Sequence, residues 1–399
     1  MLRFCALAAV LAAAGPALAK DITVEAGPNA QERLQTALLD AKPGDTVRIG
    51  AGRFELTDGL SLDVNGVTVR GAGPDKTVLS FKGQLGAGEG LLVTSDDVVL
   101  RDFAVEDSKG DGIKSKGADR IVYKNVRVEW TGGPKASNGA YGVYPVESSD
   151  ILIDGVTVSG ASDAGIYVGQ SNRIIVRNSV AKYNVAGIEI ENSGYAEVTN
   201  NLATHNTGGI LVFDLPALPR HGAGFVTVSG NKVIDNDTPN FAPPGNTVAT
   251  VPTGTGVLVM AENDVNISDN ALSGNGTANI MVVAYRQSFE DKSYDPYPRN
   301  VRISGNKHGP AGFAPAMPGG KELAQALGGT LPPIFWDGTV ESGKGPAVAG
   351  SRDAPMLTLN LALRAGIETA KPQRVTLTEA APIAWPAVRL PPAMEAAAK

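Results

Sequence analysis

Glycine accounts for 48 of the 399 residues, only 19% of residues are charged, and the net charge is −6, a composition that suits short strands and tight turns better than a helical bundle. The acidic balance, with no basic stripe to offset it, argues against a nucleic-acid partner. The one cysteine is Cys5, so beyond the first residues there is no disulfide, Cys-ligated zinc, Cys-x-x-Cys haem attachment or thiol nucleophile.

In chain order, Met1-Leu2-Arg3 is followed by an apolar run from Phe4 to Ala14 and by the small-residue pattern Ala17-Leu18-Ala19, which predicts a secretory signal peptide over residues 1–19. Cleavage removes Arg3 and takes the net charge from −6 to −7. The run is shorter than the roughly 20 residues of a spanning helix and no later segment supplies one. A periplasmic or secreted protein is expected. Next, Pro28-Asn29 precedes AQERLQTALLDA, whose Leu34, Ala37, Leu38 and Ala41 fall on one helical face with Asn29 as N-cap. Such a helix would cover a sheet edge otherwise left open at the start of a solenoid. KPGDTVRIGAGRFEL and GVTVRGAG read as first coils.

From here a nine-residue phrase recurs: Asp97-VVLRDFAV, Arg120-IVYKNVRV, Asp150-ILIDGVTV, Arg173-IIVRNSVA, Tyr195-AEVTNNLA, Phe225-VTVSGNKV, Asp264-VNISDNAL and Asn300-VRISGNKH. Between copies comes Gly followed by Ile or Val, and Gly142, Gly165, Gly187 and Gly209 are spaced by 23, 22 and 22 residues. Strands of four or five residues cannot bury an apolar face alone, but stacked coils line a continuous interior with Ile and Val. A period near 22 without helix predicts an all-β chain, a right-handed parallel β-helix over residues 20–308. Asn184, Asn206 and Asn275 are expected to stack as an amide ladder. After residue 309 the repeat stops, and the Pro/Ala/Gly-rich segment 309–399, with a helix near Lys321-ELAQAL and a strand near Met356-LTLNLAL, is expected to form a cap and a tail folded back along the solenoid.

In each Gly-Ile strand the Ile points inward, which leaves two outward columns. One is Lys114, Tyr144, Tyr167, Glu189, Leu211, Leu258 and the other Lys116, Val146, Gly169, Glu191, Phe213, Met260. Insertions Pro134–Tyr141 and Asn236–Thr255 before this strand, and Leu215–Gly224 and Gln287–Arg299 after it, would wall a groove. Tyr167, Glu189 and Glu191 are the candidate catalytic groups. The two glutamates stand roughly 6.5–7 Å apart by strand rise, near the short end of the carboxylate spacing in inverting glycosidases; a solvated acidic edge or a calcium site is the plainer alternative. Tyr167 could serve as acid or base in β-elimination or epimerisation, or stack on sugar or on Tyr144. Lys114, Lys116, Tyr144, Gln170, Asn192, Asp214, Arg220 and His221 complete the expected substrate contacts. No His-x-His pair supports copper or zinc, and no metal is assigned; calcium bridging Glu189, Glu191 or Asp214 to substrate carboxylates is the one cofactor expectation.

The phrases GIYVGQS (Gly165 to Ser171), NVAGIEIENS (Asn184 to Ser193) and NTGGILVFDLP (Asn206 to Pro216) resemble a group of exported bacterial parallel β-helix repeat proteins of unassigned activity. More broadly, residues 22–308 resemble the superfamily of pectate lyases, polygalacturonases and alginate epimerases. That resemblance implies the fold; the paired aspartates and Gly-His-Gly of polygalacturonases and the Asp-Pro-His-Asp of alginate epimerases have no counterpart here, so no catalytic residue is carried over. Two readings remain open. One is a lyase or C5-epimerase acting on an acidic polysaccharide. The other is a carbohydrate-binding or assembly-accessory protein, comparable to β-helix proteins that assist copper-enzyme maturation, meeting a protein through Leu211, Phe213, Leu258 and Met260 unless the tail covers that stripe.

Overall fold

The computed structural model describes residues 19–399 apart from 87, 351 and 353; the expected leader lies, up to residue 18, outside the described residues. Among the described residues, three sheets of twelve, twelve and ten strands run the length of the chain. One coil comprises Ala164–Gly169, Asn172–Arg177 and Val180–Lys182, and the next comprises Ala186–Glu191, Gly194–Thr199 and Leu202–Thr204. Each strand pairs in parallel with its counterpart one coil on, so Ile166, Ile188, Ile210, Val257 and Ile280 stack in register through the interior. All five are fully buried, each contributing about 1.5–3 kcal/mol.

The first residue of each nine-residue phrase makes the corner between sheets. Asp97, Arg120, Asp150, Arg173, Tyr195, Phe225, Asp264 and Asn300 all have φ between 52° and 61°, a left-handed conformation that must be compensated in a residue with a side chain. Stacking supplies contacts along this column: Arg120 pairs with Asp97 at 2.6 Å, Arg173 with Asp150 at 2.7 Å, and Tyr195 stacks on Phe225 at 4.8 Å.

Buried amides close other corners. Asn184, Asn206, Asn236 and Asn275 are joined Nδ2 to Oδ1 at 3.0–3.1 Å, the expected ladder with Asn236 as an additional member. A second, unforeseen ladder runs Asn201, Asn231, Asn270, Asn306 at 2.9–3.0 Å.

The helix Ala30–Asp40 packs against the first strands and buries Leu34 and Leu38. Its Gln35 amide exchanges bonds with the backbone of Ser61, supplying partners that this edge strand lacks. Asn29 does occupy the N-cap position, but with φ 54° and no side-chain cap bond; a capping side chain ordinarily sits on an extended backbone at this position.

Parallel pairing continues past residue 308 through Ile334–Trp336, Val348–Gly350 and Met356–Thr358, so the boundary at 308 marks the end of the legible repeat and not of the coil. The predicted helix is Gly320–Ala326. The last residues do fold back: Ile383 bonds Asn266, Val388 bonds Glu197, Glu395 pairs with Arg177, and the Ala397 carbonyl accepts from Arg101. Leu390 and Met394 pack on the outward Val122, Leu152 and Ile175. None of the described helices is long and apolar enough to cross a membrane.

Candidate functional site

Strand pairing places both outward columns as the alternation predicts. Lys114 lies beside Tyr144, Tyr167 beside Glu189 and Glu189 beside Leu211, while Gly169, Glu191, Phe213 and Met260 are consecutive in the second column. A third outward column, one position before the recurring glycine, holds Tyr141, then Ala164, Ala186 and Gly208. Its small members leave room for Tyr141, whose ring lies 4.5 Å from those of both Tyr144 and Tyr167, while Tyr144 meets Tyr167 edge-on at 4.8 Å.

Two rungs define the chemistry. The Tyr167 hydroxyl donates to Glu191 Oε1 at 2.8 Å. This reach passes over Gly169, where a methyl would run into the Tyr167 ring. The Glu189 and Glu191 carboxyls lie close enough to influence each other's protonation. Both carboxyls are buried, so they do not flank an open sugar subsite as the two acids of an inverting glycosidase do. Glu189 is 1% exposed, with Oε2 receiving no N–H or hydroxyl donor, whereas Glu191 is 8% exposed. Of the two, Glu191 is the one a substrate could reach.

Burial pushes the Glu191 carboxyl up to about 7, with the Asp214 charge adding to the effect against the Tyr167 hydrogen bond. It raises Glu189 well above the usual carboxylate range, and it holds Tyr167 far above the ordinary phenol value, so this hydroxyl stays protonated. Tyr144, half-buried, is pushed up to about 12.

Sequence reasoning missed four members of the cluster. Asp163 accepts at 3.0 Å from Asn246 of the 236–255 insertion; burial and the Glu191 charge raise it to about 7. Burial raises Asp111 to about 6 beside Lys114. Glu262 lies beside Asp214, and burial raises both. Tyr141 and Asp111 belong to the third column, which the small residues before Gly165, Gly187 and Gly209 could have revealed. Asp163 and Glu262 lie in turns, where strand alternation gives no direction.

Several expected substrate contacts are used within the protein. Asn192 is fully buried and clamps the wall, bonding the carbonyls of Leu215 and Arg220 and the Leu215 N–H. Asp214 is buried, with Oδ2 accepting from Gly222. His221 Nε2 faces Asp291 at 3.5 Å and Ser293 at 3.4 Å, joining the two wall loops. Lys114 meets Glu89 at 3.2 Å and Asp111 at 3.6 Å, and Lys116 meets Glu147 at 3.5 Å. Gln170, at φ 50°, forms a corner. Arg220 is exposed and makes no ion pair among the described residues. No three Asp, Glu, His or Cys side chains among the described residues are arranged to hold a metal ion. Glu189, Glu191 and Asp214 form no such group, so no step is routed through calcium.

The apolar stripe is not left bare. Leu211, Phe213 and Leu258 are buried under Val248, Val251 and Phe241 of the insertion and Ala324, Leu331, Leu359 and Leu361 of the C-terminal segment, with Met260 half-buried beside them. The expected protein-docking stripe is therefore a second core, built by the insertion and the tail together.

A family model described as a right handed beta helix region matches residues 63–218. Among solved structures, the A-module of Azotobacter vinelandii mannuronan C-5 epimerase AlgE4 is similar over 84% of this chain and 92% of its own, at 15% identity and TM-score 0.55. The AlgE6 A-module from the same organism is similar over 85% of this chain and 99% of its own, at 15% identity and TM-score 0.51. A comparison with curated proteins returns no match. The stacked three-sheet coils, the 22-residue period and the model matched over residues 63–218 together show that this chain has the right-handed parallel β-helix fold.

Proposed function

We propose that the protein is exported to the periplasm or cell exterior and acts on a uronic-acid polysaccharide by β-elimination or C5 epimerisation. The observation that carries this reading is the Tyr167–Glu191 hydrogen bond at 2.8 Å, with Glu191 raised to about 7, a value suited to a general base near neutral pH. Glu191 takes the proton from the carbon next to the uronate carboxylate. Tyr167 then gives its proton to the departing glycosidic oxygen, as the bond to that oxygen breaks; in epimerisation the carbon takes its proton instead from water on the face away from this bonded pair. Glu191 returns a proton to Tyr167 through their hydrogen bond. Glu189 acts through Glu191 as a positioning residue, and Arg220 is the cation left to meet the substrate carboxylate. Support comes also from the structural likeness to modules named as mannuronan C-5 epimerases.

A second reading, a carbohydrate-binding protein without turnover, is favoured by the near-complete burial of Tyr167 and Glu189. Incubation with alginate, pectate and other uronans, with and without calcium, separates the two. New ultraviolet absorbance from unsaturated uronate, or changed stereochemistry by proton NMR, lost in Tyr167→Phe and Glu191→Gln, is the expected result. Binding to a uronan without either change in it would replace the enzyme reading with the second.

A further inference from the structure

Beyond Phe213 the outer face of this sheet opens into a groove of about 710 Å³, within the size range of small-molecule sites. Its floor runs from Phe213 through Met260, Met281 and Phe335 to Leu359, five rungs and about 19 Å at the spacing of adjacent strands. The 247–252 stretch of the insertion and the segment 367–372 form its sides.

Of the polar side chains on this lining, Glu368 is exposed at the rim, while Arg286, Asp337 and Thr250 are used within the protein. Arg286 donates to Thr339 and to the carbonyls of Ala362 and Ala365. Asp337 accepts from the Ala284 and Thr339 N–H groups, and Thr250 donates to the Thr247 carbonyl. A sugar chain lying along the floor would lose its water and find partners at the rim alone, a loss that an apolar chain does not suffer.

Position identifies the occupant. Phe213, the first residue of the floor, pairs in register with Glu191, so the groove starts one rung from the reachable carboxyl and leads away from it. We infer that the groove binds the hydrocarbon chain of an amphiphilic saccharide whose uronate head lies at Glu191. The inference rests, for its head group, on the reading of Glu191 as a sugar site; the tail assignment stands on the groove alone. The site would then take, beside a uronan, a saccharide that carries a lipid.

Titration calorimetry with octyl, decyl and dodecyl glucuronide below their micelle concentrations tests this, with glucuronic acid and decanol as head-only and tail-only probes. Affinity is expected to rise about two- to fourfold per methylene and to fall at least tenfold in Val283→Lys, at a half-buried floor position. Ile367→Glu, 49% exposed at the rim, gives the same loss without threatening the fold. Affinity independent of chain length would overturn the proposal and leave the groove to an apolar protein segment. Decanol binding as tightly as decyl glucuronide would overturn the saccharide assignment. Failure of uronan turnover with chain-length dependence and head-group preference intact would sink the catalytic reading alone.

Discussion

Glu191, Asp163 and Asp111 are carboxyls that burial lifts to about 7, 7 and 6, while an unfolded chain would release the same protons near pH 4. The folded chain therefore holds more protons between those limits, and the stability these groups contribute is present below about pH 4 and lost as pH rises through 7. The melting temperature is expected to be higher at pH 5 than at pH 8, and Glu191→Gln should flatten that difference in thermal melts. Catalysis has the opposite sense, because the base must be deprotonated: kcat/KM should climb through pH 7 to a plateau. Gly169→Ala is a sharper probe than removal of Tyr167, since the added methyl pushes the ring off Glu191. Turnover should fall about 100-fold or more with the circular dichroism spectrum unchanged; full activity in Gly169→Ala would detach Tyr167 from the reaction.

The amide ladders show how the repeat converts buried polarity into cohesion between coils. Asn206 receives the Asn184 N–H and Nδ2 and donates to Asn236 and to the Ala181 carbonyl. Asn206→Ala leaves these groups without partners and should cost about 3 kcal/mol or more in denaturant unfolding; a loss under about 1 kcal/mol would mean that water replaces the amide. The columns were legible because a period of 22 or 23 fixes which residue of each strand points inward, and one inward Ile sets the phase of its neighbours. Asn236 was not, because the insertion after it breaks the spacing to Gly256. The strands Ile334–Trp336 and Val348–Gly350 return without the Gly-Ile phrase, so nothing in the sequence announces them. The influence of Glu189 and Glu191 on each other depends on side-chain torsions, which strand rise does not give.

Across the whole molecule, one end of the chain reinforces coils laid down far earlier. Residues beyond 381 lie along the outer face of one sheet and hold Leu390 and Met394 against Val122, Leu152 and Ile175. Deleting residues 381–399 should lower stability by about 2–5 kcal/mol and increase binding of an apolar dye, while uronan turnover persists because the site sheet is untouched. Abolished turnover in this deletion would show that the tail reaches the site. Everything proposed for the site depends on Glu191 moving a proton from a uronate carbon, and incubating the protein with uronan in deuterium oxide while following deuterium entry at C5 by NMR reads that step itself. Incorporation is expected with the native protein, at a rate at least 100-fold above that of Glu191→Gln; equal incorporation by both, or none by the native protein across the uronan panel, would remove Glu191 from the reaction.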